Sequence, residues 1–274
     1  MTKNADVAEE PVHNSDIGDQ RSEPDHAPDE LHIALDEIGN LIGSGARRAR
    51  QAGESLEPAW KRVTEGETRW PVSVVVLVAI VLQLILPHRL AVHPIWLLPA
   101  VEAMLLTGLI AANPKQITRR SNRLRATSIV LIAMTSFGNA WSAGHLIHAL
   151  INGRAGQDAG PLLADGGAIW LTNVIVFGLW YWELDRGGPA ARAHAPRPYP
   201  DFQFPQMENP SLAPPDWEPH FWDYFYVSFT NAIAFSPTDS MPLARWAKLT
   251  MLLQSAVSIS TVALVIARAV NILK

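Results

Sequence analysis

The chain has 274 residues, of which 48% are hydrophobic and 18% are charged, and its net charge is −4. Soluble domains usually carry about a quarter charged residues, so this composition argues against a soluble enzyme. The absence of cysteine excludes disulfides and thiolate metal sites.

The first 30 residues form a polar tail that contains nine acidic and two basic residues. Such a segment cannot bury enough apolar surface to offset the entropy of ordering, so we expect residues 1–30 to be disordered. Residues 31–69 differ, because apolar residues repeat at helical spacing from Leu31 to Ile42 and a basic stretch follows. This pattern predicts a cytoplasmic helical region that either lies on the membrane surface or packs as a solvated helix against the bundle.

Five apolar runs follow, each with about the 17–25 residues that a membrane-spanning helix needs. They cover 70–87, 94–112, 127–151, 168–184 and 247–273. A soluble core helix seldom stays apolar on all sides over such a length. With the short segment described below, they predict an all-α integral membrane protein with five to six transmembrane segments, four of which lie within 70–184.

The distribution of basic residues predicts the orientation of these segments. The flank before Trp70 and the loop 113–126 are rich in arginine and lysine, whereas the loops 88–93 and 152–167 contain one arginine each. We therefore expect a multi-pass protein of the inner membrane whose N-terminus and loop 113–126 are cytoplasmic. Counting the spans puts the proline-rich linker 185–219 on the same side.

The C-terminal module, residues 220–274, carries the clearest functional pattern. Four prolines between positions 210 and 219 prevent a helix from starting before about His220, and Pro237 ends the aromatic segment that follows. The segment 221–236 extends about 24 Å at 1.5 Å per residue, which is short for a membrane crossing. It suits a half-helix that enters the membrane and stops. Two alternatives stay open, a full crossing by this segment and an earlier apolar segment that does not span.

This module resembles known channels. The run Asp223-Tyr-Phe-Tyr-Val-Ser-Phe-Thr230, followed by Pro237-Thr238-Asp239 and a long final helix, looks like the pore module of potassium channels. With Asp201-Phe-Gln-Phe-Pro205, most of residues 70–274 is similar to a family of uncharacterised bacterial predicted membrane proteins with a channel-like C-terminal part. The resemblance implies a protein of ion transport that acts as a homo-oligomer.

The sequence departs from the potassium-channel pattern at the filter. The channels carry Gly-Tyr-Gly-Asp there, whereas this chain has Ser236-Pro237-Thr238-Asp239. A proline with a fixed φ does not reproduce the strained carbonyl geometry of the potassium filter, so potassium selectivity is not expected. Two alternatives remain, a weakly selective pathway for monovalent cations and a simple turn between helices. The candidate pore-lining residues are Thr230, Asn231, Phe235, Ser236, Pro237, Thr238 and Asp239.

Polar residues inside the apolar segments are costly and are therefore functional candidates. Glu102 lies in the middle of the second segment, and we expect it either to serve a function or to be a hydrogen-bonded structural carboxyl. Its expected partners are Asn139, His145, His148 and Asn173. The two histidines share a helix face, but this pair alone does not indicate a metal site.

A polar stripe on the final helix contains Gln254, Ser258 and Thr261. Such a stripe either lines a wet path or holds neighbouring helices together, and the second reading is favoured because Ser and Thr are common at helix contacts in membranes.

The sequence contains no nucleotide-binding, hydrolase or metalloprotease motif, and no tract that indicates binding to nucleic acid. We therefore expect no cofactor and no enzymatic activity. The first hypothesis is a channel-like oligomer in the lipid bilayer. The alternatives are a non-conducting scaffold or regulatory protein that retains the fold, and a membrane enzyme that uses Glu102 and the histidines His145 and His148.

Overall fold

The computed structural model describes residues 39, 45, 58–117, 121–154, 156–194, 199–234, 236 and 239–273. Contacts divide the chain into two units, Met1–Gly53 and Glu54–Lys274, and the second is described below. The predictions of a disordered tail over 1–30 and of an amphipathic helix after Leu31 fall on residues outside these ranges, apart from two isolated glycines.

The second unit is mostly helical, which confirms the predicted all-α class. Its helices are α1 (Trp70–Ile85), α2 (Leu97–Ala112), α3 (Asn122–Ile151), α4 (Ala159–Leu184), α5 (Pro189–His194), α6 (Pro205–Glu208), α7 (Phe221–Ala234) and α8 (Arg245–Leu273). Short 3-10 helices cover Ala59–Lys61, Asp185–Gly187 and Pro210–Leu212, and β1 (Phe202–Gln203) pairs antiparallel with β2 (Met241–Pro242).

Two helices are long and apolar enough to cross a membrane, namely α4 with its continuation to His194, and α8. The helices α1 and α2 have 16 residues each. They extend about 24 Å at 1.5 Å per residue, less than the roughly 30 Å of a bilayer core. Helix length therefore supports membrane association, while the number of five to six spans rests on the sequence pattern.

The helix α4 forms the centre of the bundle, where it packs against α1, α3, α7 and α8. All its residues from Thr172 to Leu179 are buried, as a helix surrounded by other helices requires. Gly178 permits close approach of α7, because a Cβ there would lie 3.2 Å from Phe225 Cα.

One end of the bundle, here called the polar end, collects the starts of α1, α7 and α8 and the end of α4. Glu67, just before α1, accepts hydrogen bonds from Trp182 on α4 and from Phe221 at the start of α7. Trp246, at the start of α8, donates to Asp201 at 3.2 Å. The ends of four helices that are separated along the chain therefore lie together at the polar end of the bundle.

One ion pair and one hydrogen bond lie at the opposite end of the bundle. Arg89, after α1, lies 3.3 Å from Asp165 near the start of α4. Arg268, near the end of α8, donates to the backbone oxygen of Gly156 at 3.2 Å. The helix α8 therefore starts at the polar end and runs antiparallel to α4 to the opposite end.

Candidate functional site

The C-terminal segment enters the bundle as a helix from the polar end. The helix α7 begins where the backbone N–H of Phe221 donates to Glu67. It then descends along α4, so that Ser228 Oγ donates to Val174 O at 2.6 Å. The helix α8 starts at the same end and descends beside α7, because Gln254 Nε2 donates to Ser228 Oγ at 2.7 Å. Since α7 and α8 run in the same direction, the chain between them must return to the polar end.

Contacts of the described residues trace this return. Tyr226 Oη donates to Asp239 Oδ2 at 3.3 Å, so Asp239 lies beside the second turn of α7. Met241 pairs with Gln203 in the β1–β2 ladder, which brings the chain back to the segment that precedes α7. The segment 221–244 therefore begins and ends at the same end of the bundle. The described residues of this segment thus follow a path that returns to its starting level.

The candidate pore-lining residues lie in different environments. Ser236 and Asp239 are exposed, while Thr230 is half-buried and its hydroxyl donates to Tyr226 O at 2.9 Å. Asn231, in contrast, is buried. The other three candidates, Phe235, Pro237 and Thr238, fall outside the described residues.

Asn231 belongs to a buried polar ladder that joins α4, α7 and α8. Its centre is Gln254, which is fully buried. Gln254 Oε1 accepts from Tyr181 Oη at 2.7 Å and from Asn231 Nδ2 at 2.8 Å. Gln254 Nε2 donates to Ser228 Oγ at 2.7 Å and to Ser228 O at 2.9 Å. Each polar atom of this side chain is thus hydrogen-bonded inside one chain.

The rest of the predicted stripe on α8 also faces α4. Asn173 Nδ2 donates to Ser258 Oγ at 3.0 Å and extends the polar ladder. Thr261 is buried as well, but its hydroxyl has no partner among the described residues. Of the two readings of the stripe, these contacts favour helix–helix attachment over the lining of a wet path.

Glu102 is fully buried, and Gln83 Nε2 on α1 donates to its Oε2 at 3.0 Å and to its Oε1 at 3.3 Å. This partner differs from those expected. His145 is exposed and stacks on Trp141, with 4.5 Å between the ring centroids. Asn139 is buried but makes no hydrogen bond to Glu102. The sequence did contain a sign of this partner, because Gln83 is the one strongly polar residue inside the first apolar run.

Sequence reasoning missed a buried ionic cluster at the polar end. Arg192 donates to Trp182 O at 2.7 Å, and its Nη2 lies 3.7 Å from Glu67 Oε2. Burial lowers the pKa of Arg192, but the neighbouring acidic groups, first Tyr224 and then Asp185 and Glu67, outweigh this effect and raise the pKa above its ordinary value. Burial in turn raises the pKa of Glu67, and the charge of Arg192 opposes that rise.

Asp185 ties this cluster to the segments around α7. Its Oδ2 accepts from Tyr224 Oη at 2.6 Å, and its Oδ1 accepts from the backbone N–H of Asp201 at 2.9 Å. Asp201 Oδ2 accepts from the backbone N–H of Arg186 at 2.7 Å. The cluster was missed because its members come from polar loops, where sequence spacing does not predict which charges meet. Among the described residues, no three potential ligands gather to hold a metal.

Comparisons of the chain with protein-family models, with curated proteins and with solved structures found no match.

Proposed function

We propose that the protein is a channel-like membrane protein, in which copies of the segment 221–244 form a weakly selective pathway for monovalent cations. The observation that carries the proposal is the common direction of α7 and α8, between which the described contacts of Asp239 and Met241 lead the chain back to the polar end. Selectivity filters and re-entrant loops have this form, because irregular backbone at membrane depth must be held against protein or must line a wet cavity. The resemblance to the potassium-channel pore module supports the same function.

In this proposal α1, α2, α3, α4 and α8 cross the inner membrane and α7 enters from the cytoplasmic side. The positive-inside rule supports this orientation, since Arg69, Lys115 and Arg125 lie at the polar end. The polar end is then cytoplasmic, and the C-terminus of α8 lies on the other side.

A single half-helix cannot enclose a pathway, so conduction requires several copies of the chain. The outward face of α7 supports assembly, because four apolar or aromatic side chains are exposed there at helical spacing. They are Trp222, Tyr226, Phe229 and Ile233. Asp239 lies against Tyr226 at the edge of this face, and a ring of such carboxylates in an oligomer would attract cations.

A second candidate is a non-conducting scaffold that retains a channel-like fold. The polar ladder favours it, because the side-chain amides of Asn231 and Gln254 form their hydrogen bonds within one chain. Their amides are thus not free to replace the hydration shell of an ion.

Ion flux in liposomes separates the two candidates. A conducting protein should release a trapped monovalent cation, and Asp239→Lys should reduce the cation preference of that flux. Asp216→Lys is the matched control, since Asp216 is an exposed acid in the linker before α7. Absence of flux from folded protein would favour the scaffold, and equal flux in both variants would remove Asp239 from the pathway.

Single-cysteine labelling tests the path of the segment, because the natural chain has no cysteine. Ser211→Cys and Met241→Cys place exposed thiols before and after α7, and Arg154→Cys marks the opposite end. An impermeant thiol reagent should label the first two from one side of the membrane and the third from the other. Labelling of positions 211 and 241 from opposite sides would contradict the re-entrant path.

A further inference from the structure

A cavity of about 270 Å³ lies at the polar end between α1, α2, α3 and α4. Its deep part is apolar and is lined by side chains such as Val76, Leu106 and Ile132. Its mouth, towards the polar end, is polar and includes Ser121, the residue directly before α3. From position 121 to position 132 a helix rises about 16 Å at 1.5 Å per residue, so the cavity is elongated along α3.

Arg69 supplies an unusual positive charge to this cavity. The residue is only 7% exposed. Its Nε donates to Asn113 O at 2.8 Å, and among the described residues its two terminal nitrogens have no hydrogen-bond acceptor. A buried guanidinium is costly unless its donors are paired, and an anion in the cavity would pair with them.

The N-terminus of α3 lies at the mouth and adds a second attraction for anions. Ser121 makes no side-chain cap, and the first turn of α3 contains no acidic residue. The free N–H groups of a helix start carry a partial positive charge and bind phosphate or carboxylate. Arg125 lines the same mouth, with 45% of its side chain exposed.

The charges around the cavity favour an anionic ligand. Glu183 is the only acidic residue among those that line the cavity in the described chain. Ser128 Oγ donates to Glu183 Oε2 at 2.8 Å, and Arg125 lies 3.8 Å from Glu183 Oε1. Arg186, which also lines the cavity, lies 3.5 Å from Asp185. One positive charge therefore remains in excess once Glu183 is set against Arg69 and Arg125.

We propose that this cavity binds an amphiphile with a single acyl chain and an anionic phosphate or carboxylate head. The head lies at the start of α3 between Arg69 and Arg125, and the chain extends along the apolar wall towards Ile132. Pockets for such molecules combine an apolar lining with a few polar groups that fix orientation. The inference does not depend on whether the protein conducts ions.

Binding to delipidated protein in dodecyl maltoside, followed by native mass spectrometry, tests the proposal. The probe is lysophosphatidylglycerol, and one molecule per chain is expected. Lysophosphatidylcholine, which has the same kind of chain but no net charge, should bind about ten-fold more weakly, the size of one charge-assisted hydrogen bond. Inorganic phosphate should not displace the probe. Equal binding of the two lipids, or displacement by phosphate alone, would overturn the proposal.

Variants locate the site. Arg69→Gln and Arg125→Gln should each weaken binding of lysophosphatidylglycerol about ten-fold, because each removes a charged donor. Arg123→Gln is the matched control, since it makes the same change on the first turn of α3 at a residue that does not line the cavity. Leu124→Trp should abolish binding, because the larger side chain fills the mouth of the cavity. The fold should tolerate this change, since Leu124 is only half-buried.

Circular dichroism establishes that each variant is folded. If Arg69→Gln does not fold, then Leu124→Trp and Arg125→Gln decide the matter. Unchanged binding in these two variants would refute the site.

Discussion

The carboxylate of Glu67 accepts a hydrogen bond from the backbone N–H of Phe221, although 154 residues separate them in the chain. Its other oxygen accepts from Trp182 Nε1 at 2.6 Å. The first N–H groups of a helix have no partner within it, so Glu67 serves as a cap that a distant segment supplies to α7. One side chain thus fixes where α7 starts.

Replacing Glu67 with alanine should lower the free energy of unfolding by about 2–4 kcal/mol, because two buried donors and Arg192 lose their partner. Thermal unfolding in detergent measures the effect. Glu65→Ala is the control, since Glu65 is exposed and only two residues away. Equal unfolding temperatures for the two variants would contradict the role of Glu67.

The change Gln254→Leu should destabilise the protein by about 1–3 kcal/mol, because it leaves Tyr181 and Asn231 with unsatisfied polar groups in the bundle. Chemical unfolding in detergent, followed by helix content, reports the loss. The matched variant Ser260→Leu lies on an exposed face of α8 and should change little. A neutral Gln254→Leu would show that the ladder does not hold α7 in place.

Close packing of α4 and α8 is tested at neighbouring glycines. A Cβ at Gly166 would lie 2.8 Å from a methyl of Val265, whereas a Cβ at Gly167 would meet nothing within 4 Å. Gly166→Ala should therefore cost about 1–3 kcal/mol by overpacking. Gly167→Ala should be neutral or slightly stabilising. Adding Val265→Ala should rescue Gly166→Ala, and failure of the rescue would point to another cause.

The Gln83–Glu102 contact is best measured with a double-mutant cycle. Gln83→Leu alone should destabilise the protein by about 1–3 kcal/mol, because it leaves the buried carboxyl of Glu102 without this donor. The double variant with Glu102→Leu should recover part of that loss, since both polar groups are then gone. Additive effects of the two substitutions would mean that the pair is not coupled.

The apolar runs predicted the helices well, because continuous hydrophobicity is a local property. The segment predicted at 247–273 is observed as Arg245–Leu273, and Pro237 correctly signalled that α7 would stop early, at Ala234. The prediction was poorest at the start of α4, which begins at Ala159 and not at 168, because the polar Asp165 and its glycine neighbours concealed about two and a half helical turns.

Partners across the bundle could not be predicted in the same way. Glu102 was recognised as a buried candidate, but its pairing with Gln83 depends on how α1 and α2 are rotated against each other. The contacts of Glu67 depend on the whole course of the chain, because α4 and α7 must both reach the level of α1 before Trp182 and Phe221 can donate to it.

The polar ladder imposes an order on the synthesis of this protein. The ribosome releases α7 before α8, yet the side-chain amide of Asn231 finds its partners, Met251 O and Gln254 Oε1, only on the later helix. Burying this amide without its partners in the meantime would be costly. The packing of α7 is therefore complete only once α8 has joined it, and the last part of the chain folds as one concerted unit.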